Sequence, residues 1–111
     1  MKGRQRTRQL AVAIYKLTSA SPLASDFGLR DQLRRAAVSV CRNIAEVDTR
    51  QGAREIIQFF CIAKGSLAEV STPLDVARKV FPGTATAISP LLLDCDEIPA
   101  MLQSLINHRR E

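Results

Sequence analysis

The segment from Phe27 to Glu46 carries two helical stripes side by side. Its apolar residues recur at three- and four-residue steps and share one helix face: Leu29, Leu33, Ala36, Val40 and Ile44. Polar residues recur in the same rhythm on the neighbouring face: Gln32, Arg35, Ser39, Asn43 and Glu46. An ordinary surface helix has one apolar face and a loosely mixed polar one. The second ordered stripe therefore predicts a helix that packs on two sides.

The same periodicity predicts three further helices, and no segment alternates as a strand does. The four helices are expected at about residues 4–18, 27–47, 53–80 and 90–108. The third has the longest apolar stripe: Ile56, Phe59, Phe60, Ala63, Leu67, Val70, Leu74 and Ala77. Because the connections are short, neighbouring helices are expected to run antiparallel. We therefore expect an all-α single domain over residues 1–111, an up-down-up-down four-helix bundle.

Prolines and small polar residues set the expected helix boundaries. Pro73 lies inside the third apolar stripe, which continues in phase after it, so the pattern predicts a kink there rather than an end. Pro99 predicts a second kink. Side-chain caps are expected from Ser25 or Asp26 for the second helix, Asp48 or Thr49 for the third, and Ser89 followed by Pro90 for the fourth.

Composition and charge narrow the class of protein. Of 111 residues, 46% are apolar and 24% charged, which excludes general disorder and fits a globular protein. No apolar run approaches the length of a membrane span. The three cysteines, Cys41, Cys61 and Cys95, are odd in number and widely spaced, which favours reduced thiols in the cytoplasm over disulfides or a zinc site.

The net charge of +5 indicates affinity for polyanions such as nucleic acid. Arginine suits phosphate oxygens because its planar guanidinium donates several hydrogen bonds at once. Few aromatic residues are available for base stacking, which argues against a dedicated single-strand reader. The alternative is a surface made soluble by ordinary salt bridges. The candidate nucleic-acid-binding residues are Arg30, Arg34, Arg42, Arg50, Arg54 and Lys64, with Arg42, Arg50 and Arg54 near the turn between helices two and three.

The polar stripe of the second helix suggests a hydrogen-bonded seam between helices or between subunits. Buried polar groups must be paired, so such a seam would fix register and partner choice. Arg35 is expected to pair with Glu69 or Glu46, and Ser39 with Asn43. The alternative is a solvated helix face. The candidate assembly residues are Gln32, Arg35, Ser39, Asn43, Glu46 and Glu69.

No constellation of residues indicates catalysis, a cofactor or a metal. The single histidine, His108, has no evident orienting partner, which a catalytic histidine needs. Lys64, Gly65 and Ser66 lack the upstream glycine loop of a phosphate-binding motif. Gly65 and Ser66 are better explained if they let a neighbouring helix approach closely. We therefore expect a protein that is not an enzyme.

Two longer segments resemble a known family. FGLRDQLRRAAVSVCRNIAE, followed by REIIQFFCIAKGSLAEV, resembles the bacterial four helix bundle protein family, and the earlier AIYKLT matches the end of its first helix. That family includes the 23S rRNA-intervening sequence proteins and the accessory variability proteins of diversity-generating retroelements. The resemblance implies the same bundle, assembled as a ring-like homopentamer with a basic surface.

The resemblance also implies a role in nucleic-acid association without catalysis. Together with the charge, it leads us to expect a non-enzymatic, oligomeric accessory protein that binds the backbone of RNA or DNA. The alternative is a protein–protein scaffold whose basic surface docks an acidic or enzymatic partner, such as a reverse transcriptase. We expect salt-sensitive binding in the first case.

Overall fold

Four α-helices account for most of the chain, as the periodicity predicts. The computed structural model describes residues 2–110, apart from the side chains of Lys2, Leu105, His108, Arg109 and Arg110. What the sequence suggests for the His108 side chain therefore lies outside the described residues. The helices are α1 (Lys2–Thr18), α2 (Phe27–Thr49), α3 (Ala53–Val80) and α4 (Ala85–Arg110), and residues 2–110 contain no strand. Short 3-10 turns at Leu23–Ser25 and Pro82–Thr84 precede α2 and α4.

All four helices contribute to one hydrophobic core. The predicted stripe of α2 is buried at Leu33, Ala36, Val40 and Ile44, and the predicted stripe of α3 is buried at every position except the half-exposed Phe59. Full burial of one large aliphatic side chain contributes about 1.5–3 kcal/mol. The largest fully buried side chains come from every helix: Leu10, Ile14, Leu33, Ile44, Leu67, Leu74, Ile88, Ile98 and Leu102.

The helices lie alongside one another. The longest dimension of the molecule is 45 Å, and the two others are 20 and 18 Å. At 1.5 Å per residue, the 28 residues of α3 span about 42 Å, so the molecule is about one helix long. α2 packs most extensively against α3 and then against α1, while α4 packs against α3 and α1. These contacts support a four-helix bundle in which α2 and α4 occupy opposite corners.

The start of α2 is capped as the sequence predicts. The carboxylate of Asp26 accepts a hydrogen bond from the backbone N–H of Leu29 at 3.1 Å. A side-chain oxygen at this position satisfies one of the amide groups that have no partner within the first helical turn. The cap therefore fixes the residue at which α2 begins.

The caps expected for α3 and α4 are wrong. α2 continues through Asp48 to Thr49, whose hydroxyl donates to the carbonyl of Glu46, and Gly52 caps α3 without any side-chain bond. α4 begins at Ala85, so Ser89 lies inside the helix and its hydroxyl donates to the Ala85 carbonyl. The early start follows from two strong helix formers, Ala85 and Ala87, and from the complete burial of Ile88.

The prolines do not end their helices. α3 continues through Pro73, which is buried, and α4 continues through Pro90 and Pro99. The kinks expected at Pro73 and Pro99 stay predictions. None of the helices, over the residues that the structure describes, combines the length and the apolar character that crossing a membrane needs.

Candidate functional site

A groove along the outer side of α2 brings together residues from both predicted sets. Its volume is about 890 Å³, and α1 and α3 each contribute one residue to its walls. We call it the α2 groove, and it is lined by Tyr15, Asp31, Gln32, Arg34, Arg35, Ala36, Val38, Ser39, Arg42 and Glu69. Two of the six predicted nucleic-acid-binding residues and four of the six predicted assembly residues therefore share one surface.

Arg34 is held at the edge of this groove by neutral groups. Its Nε donates to the hydroxyl of Thr18 at 2.8 Å, and its Nη2 donates to the hydroxyl of Ser19 at 3.1 Å. The guanidinium also lies 4.5 Å from the ring centroid of Tyr15. Thr18 is fully buried, and its hydroxyl donates a hydrogen bond to the Ile14 carbonyl, so its oxygen is oriented to accept from Arg34. Arg34 is positioned without a carboxylate among the described residues, and its positive charge is not neutralised.

Arg35 and Arg42 add two exposed cations to the groove. Neither makes an ion pair with any residue whose side chain the structure describes. Three arginines line the groove against two carboxylates, Asp31 and Glu69. Asp31 already pairs with Arg30 at 3.0 Å, so the groove has an excess of positive charge.

The ion pairs expected for Arg35 do not form within this chain. Glu46 accepts from Nη2 of Arg50 at 2.7 Å instead, because these residues are four apart at the end of α2. Arg35 and Glu69 line the same groove, but they form no ion pair in the described part of the chain. A pairing of Arg35 with Glu69 of a second copy stays a prediction.

The lower part of the polar stripe is an inter-helix cluster within one chain. The hydroxyls of Ser39 on α2 and Ser66 on α3 lie 2.8 Å apart. The side-chain amide of Asn43 donates to the Ser39 carbonyl at 2.8 Å and to its hydroxyl at 3.3 Å. Asn43 is only 7% exposed. The bond between Asn43 and Ser39 therefore lies within α2 and crosses no interface, and Ser39 links α2 to α3 of the same chain through Ser66. A seam between subunits stays a prediction.

The basic residues near the turn between α2 and α3 differ in whether a carboxylate neutralises them. Arg50 pairs with Glu46 and with Glu55 at 3.8 Å, and its guanidinium lies 5.2 Å from the ring centroid of Phe59. Arg54 is exposed and makes no ion pair with a described side chain. Since Arg42 lies in the α2 groove and Arg50 is neutralised, the turn does not concentrate positive charge as the sequence spacing suggests.

The two remaining candidates, Arg30 and Lys64, also lie against aromatic rings. Arg30 lies 4.6 Å from the ring centroid of Phe27, pairs with Asp31, and donates to the Ala24 carbonyl at 3.2 Å. The Lys64 ammonium lies 5.4 Å from the ring centroid of Phe60 and is exposed. Arg30 lies one turn before Arg34 on α2, whereas Lys64 belongs to α3.

Sequence reasoning missed the exposed aromatic residues beside this surface. Tyr15 is 44% exposed and Phe27 is 63% exposed. Their number in the chain is small, but the spacing of Phe27, Arg30 and Arg34 along one helix was a readable signal. α1 adds Arg8, which is exposed and lies two helical turns before Tyr15 on the same face of α1. The basic surface therefore extends from α2 onto α1.

The cationic start of α1 receives anionic partners from two other helices. Arg4 pairs with Asp48 of α2 at 3.0 Å, and Arg6 pairs with Asp94 of α4 at 2.8 Å. Cations oppose the dipole at a helix N-terminus, so they need such partners. These two arginines are structural, which leaves Arg8 and Lys16 as the exposed cations among the described side chains of α1.

The three thiols do not form a reactive or metal-binding site among the residues that the structure describes. Cys95 is buried, and burial, with Asp94 and Asp96 nearby, raises its pKa to about 12. Burial also raises the pKa of Cys41, while the positive charge of Arg8 opposes the shift. Cys61 is exposed. Over the part of the chain that the structure describes, no three metal-binding side chains come together.

Comparison with known proteins places the fold. A crystal structure of a protein of unknown function from the S23 ribosomal protein family of Bacteroides thetaiotaomicron superposes with a TM-score of 0.82 at 23% identity. The superposition covers 94% of this chain and 97% of that chain. No curated protein matches the sequence. The profile described as 23S rRNA-intervening sequence protein matches residues 1–104, and the chain therefore belongs to that family.

Proposed function

We propose that this protein is a non-enzymatic accessory protein that binds the phosphate backbone of RNA or DNA in the α2 groove. One observation carries the proposal: Arg34, Arg35 and Arg42 line a single groove, and none of them has a carboxylate partner among the described side chains. Guanidinium groups bind phosphate oxygens through paired, charge-assisted hydrogen bonds. Arg34 is already held by Thr18 and Tyr15, so it loses little freedom on binding.

Binding of this kind depends on charge more than on sequence. Each phosphate that is neutralised releases counterions, so the logarithm of affinity falls linearly with the logarithm of salt concentration. Contacts to phosphate position the protein but carry no base information. We therefore expect weak sequence preference and a steep loss of affinity between about 50 and 200 mM salt.

We further propose that antiparallel bundles assemble into a homopentameric ring in the reduced cytoplasm. The order of contacts supports antiparallel α1 and α2: Arg4 meets Asp48, Thr7 meets Cys41 and Thr18 meets Arg34, so later residues of α1 contact earlier residues of α2. A ring would repeat the α2 groove around its axis and multiply the charge that one chain presents. The three free cysteines support a reduced compartment. Light scattering tests the ring, since a mass near that of one 12.2 kDa chain would contradict it.

The test of nucleic-acid binding is fluorescence anisotropy with a labelled uridine oligonucleotide at increasing salt. We expect a complex at low salt, and we expect the paired substitution Arg35→Glu with Arg42→Glu to weaken it at least about tenfold. Arg54→Glu paired with Lys64→Glu is the matched control, because it makes the same charge change on α3, outside the groove. An equal loss of affinity with both pairs of substitutions would mean that binding depends on the overall charge of the protein and not on the groove.

Absence of any complex with RNA or DNA at low salt contradicts the proposal. In that case the same groove would serve a protein partner, and the scaffold alternative would take its place. An acidic partner would lose affinity with the groove pair of substitutions and keep it with the α3 pair.

A further inference from the structure

Two arginine–aromatic stacks lie beside the α2 groove. Arg30 covers Phe27 at 4.6 Å, and Arg34 covers Tyr15 at 4.5 Å, measured from each guanidinium carbon to the ring centroid. The two arginines are four residues apart, so they lie one above the other on α2, about 6 Å apart along its axis. We call Tyr15, Phe27, Arg30 and Arg34 the stacking row.

The rings of the stacking row are exposed to solvent, and the row adjoins the α2 groove. Phe27 is 63% exposed, and Tyr15 is 44% exposed while lining the groove. Phe27 and Arg34 are seven residues apart and share one helix face, about 10 Å apart along the axis. The row therefore continues the groove toward the start of α2.

The exposure of these rings is not explained by the packing of the chain. Neither ring belongs to the buried core, and single exposed apolar residues are ordinary on protein surfaces. Here, however, each exposed ring is paired with a guanidinium, and one of these pairs, Arg34 with Tyr15, lines the groove together with Arg35 and Arg42. Arginine and aromatic groups next to a phosphate-binding groove form the arrangement that stacks unpaired bases.

We propose that the stacking row binds unpaired bases while Arg35 and Arg42 hold the adjoining phosphates, so that the protein selects single-stranded nucleic acid over duplex. The inference rests on the proposed function and names the substrate class of that site. In a duplex the neighbouring bases cover the faces of each base, so the aromatic rings cannot stack on them and add no affinity for a duplex. Each base that stacks on an aromatic ring adds affinity without sequence preference, because every base has a π-face.

Intrinsic fluorescence provides a direct probe of this contact. Tyr15 is the single tyrosine and the chain has no tryptophan, so tyrosine emission reports on the stacking row alone. We expect a uridine oligonucleotide to quench this emission as it binds. Inorganic polyphosphate, which has charge but no bases, is expected to bind without quenching it. Equal quenching by the two ligands would overturn the inference.

Substitutions of the two aromatic residues measure how much each ring contributes to the affinity for single-stranded nucleic acid. Phe27→Ala is expected to reduce affinity for the single strand by about five- to hundredfold and to leave affinity for duplex RNA unchanged. Tyr15→Leu is expected to reduce affinity for the single strand more than affinity for the duplex, because Tyr15 also holds Arg34 in the α2 groove. Tyr15→Phe keeps the ring and is expected to keep the affinity. Val12→Ala removes an exposed apolar side chain of α1 outside the groove and is the matched control.

The outcomes separate the two proposals. If the protein binds neither single strand nor duplex at low salt, the proposed function fails. If it binds both equally, Phe27→Ala changes neither affinity, and Tyr15→Leu lowers both alike, the preference for single strands is overturned and backbone binding in the α2 groove stands.

Discussion

The hydroxyl of Ser39 on α2 lies 2.8 Å from the hydroxyl of Ser66 on α3, inside the most extensive helix–helix contact of the molecule. Ser66 is only 6% exposed. This pair fixes the polar stripe of α2 against a small residue of α3, which brings the two helix axes close. The stripe is therefore part of the packing of one chain before it is part of any assembly.

The serine pair predicts non-additive effects on stability. Removing the Ser39 hydroxyl leaves that of Ser66 without its partner, and removing the Ser66 hydroxyl leaves that of Ser39 with only the 3.3 Å bond from Asn43. Each change costs about 1 kcal/mol, whereas removing both hydroxyls leaves two small apolar groups in contact. We expect Ser39→Ala and Ser66→Ala each to lower the free energy of unfolding, and the double variant to lose less than the sum. Urea denaturation of the four proteins measures this coupling. Strict additivity would show that the hydrogen bond contributes nothing.

The Asp26 cap predicts a loss of stability with a close control beside it. Asp26→Ala removes the oxygen that accepts from the Leu29 amide, so we expect a loss of about 1 kcal/mol. Ser25→Ala is the control, because Ser25 is exposed and its side chain caps no helix. Thermal denaturation followed by circular dichroism compares the two. Equal effects would mean that the cap carries no special energy.

The apolar positions could be predicted from the sequence because burial follows helical periodicity directly. Leu33, Val40 and Ile44 are buried for the same reason that they recur at three- and four-residue steps. Caps were harder, because several small polar residues compete at each boundary. Asp26 was one of two candidates for the cap of α2, whereas the cap expected at Ser89 is wrong because the alanine-rich start of α4 moves the beginning of the helix to Ala85.

The candidate site could be predicted only in part. The arginines and the polar stripe were visible as residue types, but their partners come from other helices. Arg34 and Arg50 are equivalent in the sequence, yet Arg34 meets two hydroxyls of residues 18 and 19, and Arg50 meets two carboxylates. Whether each arginine is neutralised therefore depends on which residues the packing of the helices brings next to it. The exposure of Phe27 likewise depends on how α2 meets the turn before it.

The cysteines predict selective reaction with thiol reagents. The thiolate is the reacting form, and burial raises the pKa of both Cys41 and Cys95, so neither forms it readily. Cys61 is exposed on α3. We expect an aromatic disulfide reagent at mildly alkaline pH to label Cys61 first in the folded protein. Cys61→Ser should remove the fast phase, and a fast phase that persists would show that Cys41 or Cys95 is not protected from the reagent.

Cys95 also predicts a pH dependence of stability. Its pKa in the folded protein, about 12, lies above the ordinary value of 9.0. The folded state therefore holds this proton more tightly, and the stabilisation is complete below pH 9.0 and is lost as pH rises toward 12. We expect the free energy of unfolding of the wild type to fall more over this interval than that of Cys95→Ala. Parallel profiles for the two proteins would contradict the assignment.

Gly65 lies in the middle of α3, where a glycine is costly. A Cβ atom at this position would meet nothing within 4 Å in this chain, and the residue is exposed. Gly65→Ala is therefore expected to stabilise the isolated subunit by about 1 kcal/mol, because alanine restricts the unfolded chain and favours the helix. Thermal denaturation at high dilution measures this gain.

Gly65→Ala is also expected to have opposite effects on the stability of one chain and on its self-association. Ser66 meets α2 of its own chain, whereas Gly65 faces outward, so a helix that approaches Gly65 closely must belong to a second copy. We expect Gly65→Ala to weaken self-association in light scattering while it raises subunit stability. Gly28→Ala, whose Cβ would make an ordinary contact of 3.8 Å with Asp26, is the control that should leave the mass unchanged. If Gly65→Ala leaves self-association unchanged, α3 does not form a close interface at Gly65, and the proposed ring would have to form through other surfaces.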